Sequence, residues 1–208
     1  MKNLIFKLTF ILTFSMFTIS SACGTCGCKA KKNDTHSHND KTMTNDIYSQ
    51  KSNVKWKATK IGGEHEGNIT VKSGHLHFED DKLVSGLVEI DMQSIVCTDL
   101  SGSYKNKLEN HLNSADFFNT TKNPTSSIEL IECSYKGNNQ YEIKAAITIK
   151  DITENISFVA DVNDGTASAK ITVDRSKFDV RYGSGSFFSD LGDNLIYDDF
   201  ELEVNLAY

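Results

Sequence analysis

The sequence predicts an all-β protein built from antiparallel strands, and two observations support this fold class. Apolar residues recur at every second position in at least eight short segments, which is typical of strands that pack on one face only. Turn-forming residues separate the segments, for example at Gly62-Gly63 and at Lys136-Gly137-Asn138-Asn139. At least eight short strands at hairpin spacing indicate a barrel or a sandwich.

The first 22 residues have the pattern of a secretory signal peptide. Lys2 and Lys7 are followed by an apolar run and then by small residues before Cys23. The run is too short for a membrane-spanning helix. Small residues directly before a cysteine resemble a lipobox, although Ser20 stands where a Leu-like residue is usual. We therefore expect an exported protein of the periplasm or cell envelope, attached to a membrane through a lipid on Cys23. The alternative is a secreted protein with a free N-terminus.

Residues 23–50 are predicted to form a flexible tether. They contain almost no apolar side chains, so they cannot bury enough surface to offset the entropy of ordering. Cys26 and Cys28, with His36 and His38, form a Cys/His-rich tract suited to a soft metal. Ordering so mobile a segment around an ion is unfavourable, so we predict no metal site.

The clearest strands are Tyr141–Ile149 and Phe200–Leu206, where apolar residues alternate with charged or polar ones. Between Asp99 and Asn113, apolar residues recur every four positions instead. That spacing predicts one amphipathic helix, capped by Asp99 or Ser101. We expect this helix to cover one mouth of the fold. The folded domain is predicted to span residues 51–208.

Five sequence blocks, in order, resemble the YceI-like family of bacterial lipid-binding β-barrels. They are WKATKIGGEHEGNI (Trp56–Ile69), VEIDMQSI (Val88–Ile95), HLNSADFF (His111–Phe118), AITIKDIT (Ala146–Thr153) and the long segment Asp174–Leu206. The resemblance implies a lipocalin-like barrel of about eight strands that holds an isoprenoid-type lipid. It leaves open whether that lipid is a polyprenyl chain or an isoprenoid quinone.

The strand alternation directs a set of apolar residues into the barrel. A barrel of eight strands is either filled by side chains or able to hold one small ligand, and the residues alone leave both possibilities open. The resemblance favours a cavity. The predicted lining residues are Tyr141, Ile143, Ala145, Ile147, Ile149, Phe158, Val204 and Leu206.

The only two arginines of the chain, Arg175 and Arg181, lie beside a Gly/Ser-rich turn. The guanidinium fork suits a phosphate or a carboxylate, so both residues are candidates for binding a lipid headgroup. The alternative is an ordinary ion pair with Asp174 or Asp179 at the barrel rim.

Cysteine and histidine residues give two further hypotheses. Cys97 and Cys133 lie in strands on either side of the helix and would form a disulfide if their Cα atoms were about 4.4–6.8 Å apart. His75 and His77 have a spacing that can chelate zinc. However, Leu76 and Phe78 occupy the inward positions, so we expect both histidines to face solvent.

The sequence contains no Ser-His-Asp order, HExxH, P-loop or dinucleotide-binding motif, so we predict neither an enzyme nor a cofactor. Removal of the signal peptide, with its two lysines, takes the net charge from −6 to −8. This acidity disfavours nucleic acid as a partner, and the sequence leaves any protein partner unknown. We predict that the barrel carries or sequesters an isoprenoid-type lipid. The alternatives are a ligand-free envelope scaffold or a metal-handling lipoprotein that uses the Cys/His tail.

Overall fold

The structure is a computed structural model that describes residues 41–208. Within them lie nine strands and one α-helix, α1 (Gly102–Asn113). The strands are β1 (Thr42–Asp46), β2 (Asn53–Lys60), β3 (Gly63–Glu79), β4 (Lys82–Cys97), β5 (Thr125–Gly137), β6 (Gln140–Ile149), β7 (Ile152–Asn163), β8 (Thr166–Asp174) and β9 (Ile196–Ala207). Short 3₁₀ turns occupy Ser49–Lys51, Arg175–Phe178 and Gly192–Asn194.

Strands β2 to β9 form a closed antiparallel barrel. Their order around the wall is β3-β2-β9-β8-β7-β6-β5-β4, and β4 pairs back with β3. The predicted fold class, an all-β barrel of eight strands, is therefore confirmed. Closure leaves no free edge among these eight strands along most of the wall, since each has a neighbour on both sides.

Strand β1 extends the folded domain beyond its predicted start. Thr42 to Asp46 pair with Glu79 to His75 at the far end of β3, and Ile47 buries its side chain in the core. The expected tether ended at Gln50, but β3 is longer than β2, so its free edge accepts β1. Residues 1–40, with the expected signal peptide, the lipid-attachment residue Cys23 and the Cys/His tract, lie outside the described residues.

Helix α1 begins at Gly102 and has Ser101 in the N-cap position, without a side-chain capping hydrogen bond. Leu108 and Leu112 pack against the residues of the barrel mouth, as the amphipathic pattern predicts. Asp99, the other candidate cap, lies before the helix, and its carboxylate contacts His65, Glu66 and Cys97 instead. In the described part of the chain, α1 and the 3₁₀ turns are all too short to span a membrane.

The barrel interior contains two packed layers. The base layer, at the end formed by the β3–β4 turn, includes Leu76, Phe78, Leu83 and Tyr141. The mouth layer, beneath α1, includes Leu112, Phe117, Phe178 and Val180. Each layer draws on strands from around the wall, so the two layers close opposite ends of the barrel.

The wall is weakest between β7 and β8. These strands pair over only four residues each, from Ala160 opposite Ala169 to Asn163 opposite Thr166. Towards the mouth, β7 pairs only with β6 and β8 pairs only with β9. The two strands therefore separate near the mouth, where the 3₁₀ turn Arg175–Phe178 lies beside β7.

Candidate functional site

An apolar cavity of about 230 Å³ lies inside the barrel, between the base layer and the mouth layer. Seven side chains pack against both layers and line the cavity: Ile69, Ile90, Ile128, Phe158, Ala169, Leu202 and Val204. They point into the barrel yet are only partly buried, because no side chain fills the space between them. The barrel is therefore hollow at this level.

The cavity is small. Its volume is below the roughly 300–1,000 Å³ of common small-molecule pockets. Its lining residues on β9 run from Ile196 to Leu206, so both ends of that strand contribute side chains to the wall.

Six of the eight predicted lining residues lie on the cavity wall: Ile143, Ile147, Ile149, Phe158, Val204 and Leu206. Tyr141 instead belongs to the base layer, where its hydroxyl accepts a hydrogen bond from the Leu83 N–H at 3.3 Å. Ala145 is fully buried in that layer, between strand partners Leu130 and Ile156. Both point inward, but neighbouring side chains separate them from the void.

Arg175 lies at the cavity mouth, but its guanidinium has no donor left for a ligand. The residue is only 3% exposed, and four of its five N–H groups donate to backbone carbonyls at 2.8–3.2 Å. These acceptors belong to Tyr197, Val180, Tyr182 and Ile196. Nη2 also lies 3.3 Å from the Asp198 carboxylate. Arg175 therefore fastens the mouth loop to β9 and does not act as the predicted headgroup ligand.

Arg181 is exposed at the rim and makes an ion pair with Asp179. Its guanidinium also lies over the ring of Phe187, 4.8 Å from the ring centre. Arg181 therefore forms the rim ion pair that the sequence predicts as the alternative to a headgroup ligand.

His65 brings a polar group to the cavity wall. Its Nδ1 lies 2.8 Å from the Asp99 carboxylate, which also accepts hydrogen bonds from the Glu66 N–H and the Cys97 thiol. Burial by itself raises the pKa of Asp99, but these hydrogen bonds outweigh it and hold that pKa at about 2. The ionised carboxylate thus fixes the orientation of the imidazole. No sequence pattern predicts this pair, because it is barrel closure that brings Asp99 to β3.

The other histidines of β3 do not join His65. Nδ1 of His77 lies 2.8 Å from the Thr44 hydroxyl on β1, and Leu76 and Phe78 occupy the inward positions as predicted. Within residues 41–208, no group of three or more His, Cys, Asp or Glu residues is arranged to hold a metal ion.

The predicted disulfide is wrong, because Cys97 and Cys133 are both free thiols. Strands β4 and β5 pair only from Gly86 opposite Leu130 to Asp91 opposite Thr125. Cys97 lies beyond one end of this ladder and Cys133 beyond the other. Their strands are neighbours, as the hypothesis required, but the register keeps the two sulfur atoms apart.

A closed barrel of eight antiparallel strands, with an apolar lumen and a helix at its mouth, defines the class of hollow, lipocalin-like barrels. The YceI-like domain profile matches residues 46–208, and the chain belongs to this family. A search of curated proteins finds no significant match.

Solved structures share the fold. BcnA of Burkholderia cenocepacia has a TM-score of 0.59 and 20% identity, over 78% of this chain and 99% of that one. A polyisoprenoid binding domain from Saccharophagus degradans, implicated in plant cell wall breakdown, has a TM-score of 0.57 and 9% identity. Its match covers 80% of this chain and 97% of that one. At these identities the likeness concerns the fold alone.

Proposed function

We propose that the barrel binds an isoprenoid-type lipid, with the hydrocarbon chain inside the cavity. The observation that carries this proposal is the void between two packed layers, walled by apolar side chains. Moving a hydrocarbon chain from water into such a cavity contributes about 0.8 kcal/mol of favourable free energy per buried CH₂. Membership of the YceI-like family and the polyisoprenoid binding domain of similar fold support the choice of an isoprenoid.

The protein's role is to carry or sequester this lipid without changing it chemically. The carboxylate, imidazole and thiol of Asp99, His65 and Cys97 do meet at the mouth. However, burial and the neighbouring Asp99 raise the pKa of the Cys97 thiol, so its reactive thiolate form is disfavoured. These three side chains hold each other in place at the mouth and supply no activated nucleophile.

The proposed place of action is the bacterial cell envelope, with the barrel attached to a membrane through Cys23. The basic start, apolar run and small residues of positions 1–22 support export, and Cys23 stands where a lipid would be added. Attachment would raise the effective concentration of the barrel near membrane lipids. Cys23→Ala should leave an unprocessed precursor or a soluble form. Wild-type protein found wholly in the aqueous fraction would refute the anchor.

Lipid binding can be tested through Trp56, which is the only tryptophan of the chain and lies on the cavity wall. Its fluorescence should change saturably as geranylgeraniol is added to delipidated protein. A fluorescence change that only scales with added detergent or solvent would not support binding. Absence of any saturable change, with no lipid retained on purification, would refute the proposed function.

A further inference from the structure

A second cleft lies at the base end of the barrel, outside the base layer. Its volume is about 550 Å³, within the roughly 300–1,000 Å³ of common small-molecule pockets. Phe78 and Tyr141 of the base layer line this cleft but do not line the apolar cavity. The base layer therefore separates the two spaces, and the cleft is distinct from the proposed lipid site.

Three hairpin turns frame the cleft. They are residues 80–81 between β3 and β4, residues 138–139 between β5 and β6, and residues 164–165 between β7 and β8. The first two turns have positive φ at both residues, which is the geometry of tight two-residue hairpins. Nδ2 of Asn139 donates a hydrogen bond to Oδ1 of Asn163 at 2.9 Å, and this bond joins the second turn to the third. The cleft is thus built from short, linked turns.

Two pairs of aromatic rings line the cleft. The ring centres of Phe78 and Tyr208 are 5.4 Å apart, and those of Tyr135 and Tyr141 are 5.1 Å apart. Phe78 and Tyr141 are buried in the base layer, whereas Tyr135 is 48% exposed and Tyr208 is partly exposed. A ligand in the cleft can therefore reach the rings of Tyr135 and Tyr208.

Strand alternation directs these two accessible rings over the end of the barrel. Cys133 packs against the base layer, and Tyr135 follows it two residues later on the same face of β5. Leu206 is buried in that layer, and Tyr208 follows it in the same way at the end of β9. Each ring therefore lies on the inward side of its strand, just beyond the packed core.

The cleft also carries an excess of negative charge. In the described part of the chain its lining includes three carboxylates, Asp80, Asp81 and Asp164, and one ammonium group, that of Lys82. Lys41 forms an ion pair with Asp81 at 2.7 Å. Even with Lys41 counted, acidic groups outnumber basic ones, so the cleft favours a cation over an anion.

The state of Tyr208 agrees with this charge. Burial raises the pKa of the Tyr208 phenol, and the nearby Asp164 carboxylate and Tyr141 phenol raise it further. Surroundings that oppose a phenolate favour a positive charge in the same place. The phenols of Tyr141 and Tyr208 are also close enough to interact electrostatically, so the two ring pairs form one aromatic cluster.

We propose that this cleft binds a small organic cation of the quaternary ammonium class. The face of an aromatic ring is negative and attracts such a cation, which also buries its methyl groups against the ring. Tyr135 and Tyr208 supply the rings, and Asp164 supplies a carboxylate at the rim. This site is independent of the lipid proposed for the lumen.

Other classes of ligand fit the cleft less well. The carboxylates repel a phosphate or another anion, and a neutral apolar molecule would gain nothing from them. A metal ion needs a cluster of ligating side chains, and residues 41–208 contain no group of three or more His, Cys, Asp or Glu residues so arranged.

The test compares three probes by titration calorimetry on the full chain. The probes are choline, its neutral isostere 3,3-dimethyl-1-butanol, in which carbon replaces the nitrogen, and phosphocholine. We expect choline to bind about tenfold more tightly than the isostere, as a cation–π contact would give. Phosphocholine should bind more weakly than choline, because its phosphate meets the carboxylates of the cleft. Added geranylgeraniol should leave the choline affinity unchanged, because the base layer separates the two spaces.

Variants of the exposed ring and of the carboxylate locate the site. Tyr135→Leu should remove most of the preference for choline, and Tyr135→Phe should keep it, since the ring and not the hydroxyl attracts the cation. Asp164→Asn should weaken choline binding and leave the isostere unaffected. Tyr104→Leu, at an exposed tyrosine of α1, and Asp161→Asn, at an exposed position of β7, are the matched controls and should keep the full preference.

Each contrary result has a definite meaning. No saturable binding of choline to the folded protein, or equal affinity for choline and the isostere, would overturn the inference. Tighter binding of phosphocholine would point to a phosphate site instead. Competition between choline and geranylgeraniol would place the cation in the lumen and not in this cleft. None of these results bears on whether the lumen binds lipid.

Discussion

Nη1 of Arg175 donates a hydrogen bond to the backbone carbonyl of Tyr182 at 2.8 Å. The same nitrogen also reaches the carbonyl of Val180 at 3.0 Å. One buried guanidinium thus holds together the loop that follows β8, at the mouth of the cavity. Arg175 is therefore a structural residue of the mouth, and the first prediction concerns the stability of the barrel.

Arg175→Met should destabilise the barrel strongly, by about 3–5 kcal/mol, because it leaves Asp198 and several carbonyls without their partner. Urea unfolding measures this change. Arg181→Met is the matched control, since Arg181 lies on the exposed rim, and it should fall within about 0.5 kcal/mol of wild type. If Arg175→Met kept wild-type stability and lost only lipid affinity, Arg175 would be a headgroup ligand after all.

Asp99 should make the stability of the barrel sensitive to acid. Its pKa in the folded protein is about 2, below the usual 3.8, so its contribution is complete above about pH 4 and is lost as the pH falls through 2. The shift corresponds to at most about 2 kcal/mol for this partly exposed carboxylate.

Denaturant unfolding of Asp99→Asn across this pH range checks that prediction. The variant should be less stable than wild type at pH 7, and the difference should shrink between pH 4 and pH 2. Asp161→Asn, at an exposed position of β7, serves as the control. If the difference in free energy of unfolding between wild type and Asp99→Asn stays constant with pH, the charge of the Asp99 carboxylate does not stabilise the barrel.

The two cysteines of the barrel should be reduced and unreactive in the folded state. Cys97 is fully buried, and burial raises the pKa of Cys133 to about 11, so neither thiolate forms readily near neutral pH. Alkylation followed by peptide mapping should label both residues only after unfolding, without added reductant. Protection of both thiols in denaturant until a reductant is added would indicate a disulfide.

Filling the cavity should remove the lipid without unfolding the barrel. Ala160 belongs to the base layer but, unlike Ala145, also lines the cavity, so the ring of Ala160→Phe enters the void and should displace bound lipid at modest loss of stability. Ala145 lies in the packed base layer, where the same change should cost about 1–3 kcal/mol or more by overpacking.

Val159→Phe is the control for ring bulk, since Val159 neighbours Ala160 on the exposed face. It should retain both stability and lipid. Equal destabilisation by Ala160→Phe and Ala145→Phe would mean that the lumen is packed rather than hollow.

The sequence predicts the strands of the barrel wall better than it predicts which inward side chains line the cavity. Alternation on Tyr141–Ile149 marks the inward face correctly, since a strand side chain points either in or out. It does not tell which inward residue meets a neighbour and which meets the void. Tyr141 and Ile143 belong to the same alternating series, yet only Ile143 lines the cavity.

The contacts between polar side chains depend on strand register and on barrel closure, and no local sequence pattern encodes either. The offset of β4 and β5 separates Cys97 from Cys133, and closure brings Asp99 to His65. The guanidinium fork of Arg175, beside a Gly/Ser-rich turn, suits a phosphate or a carboxylate by its sequence alone. Its real partners are backbone carbonyls, which every residue carries and no sequence motif marks.

Native mass spectrometry of protein purified from its own membranes can detect an isoprenoid-type lipid held in the hollow barrel. We expect a lipid-sized mass on the folded domain of the wild type, released by organic solvent and identified there as an isoprenoid. Ala160→Phe should lack this mass and Val159→Phe should keep it. A folded wild-type protein that carries no lipid, and takes up none when prenyl lipids are supplied, would show that the barrel is not a lipid carrier.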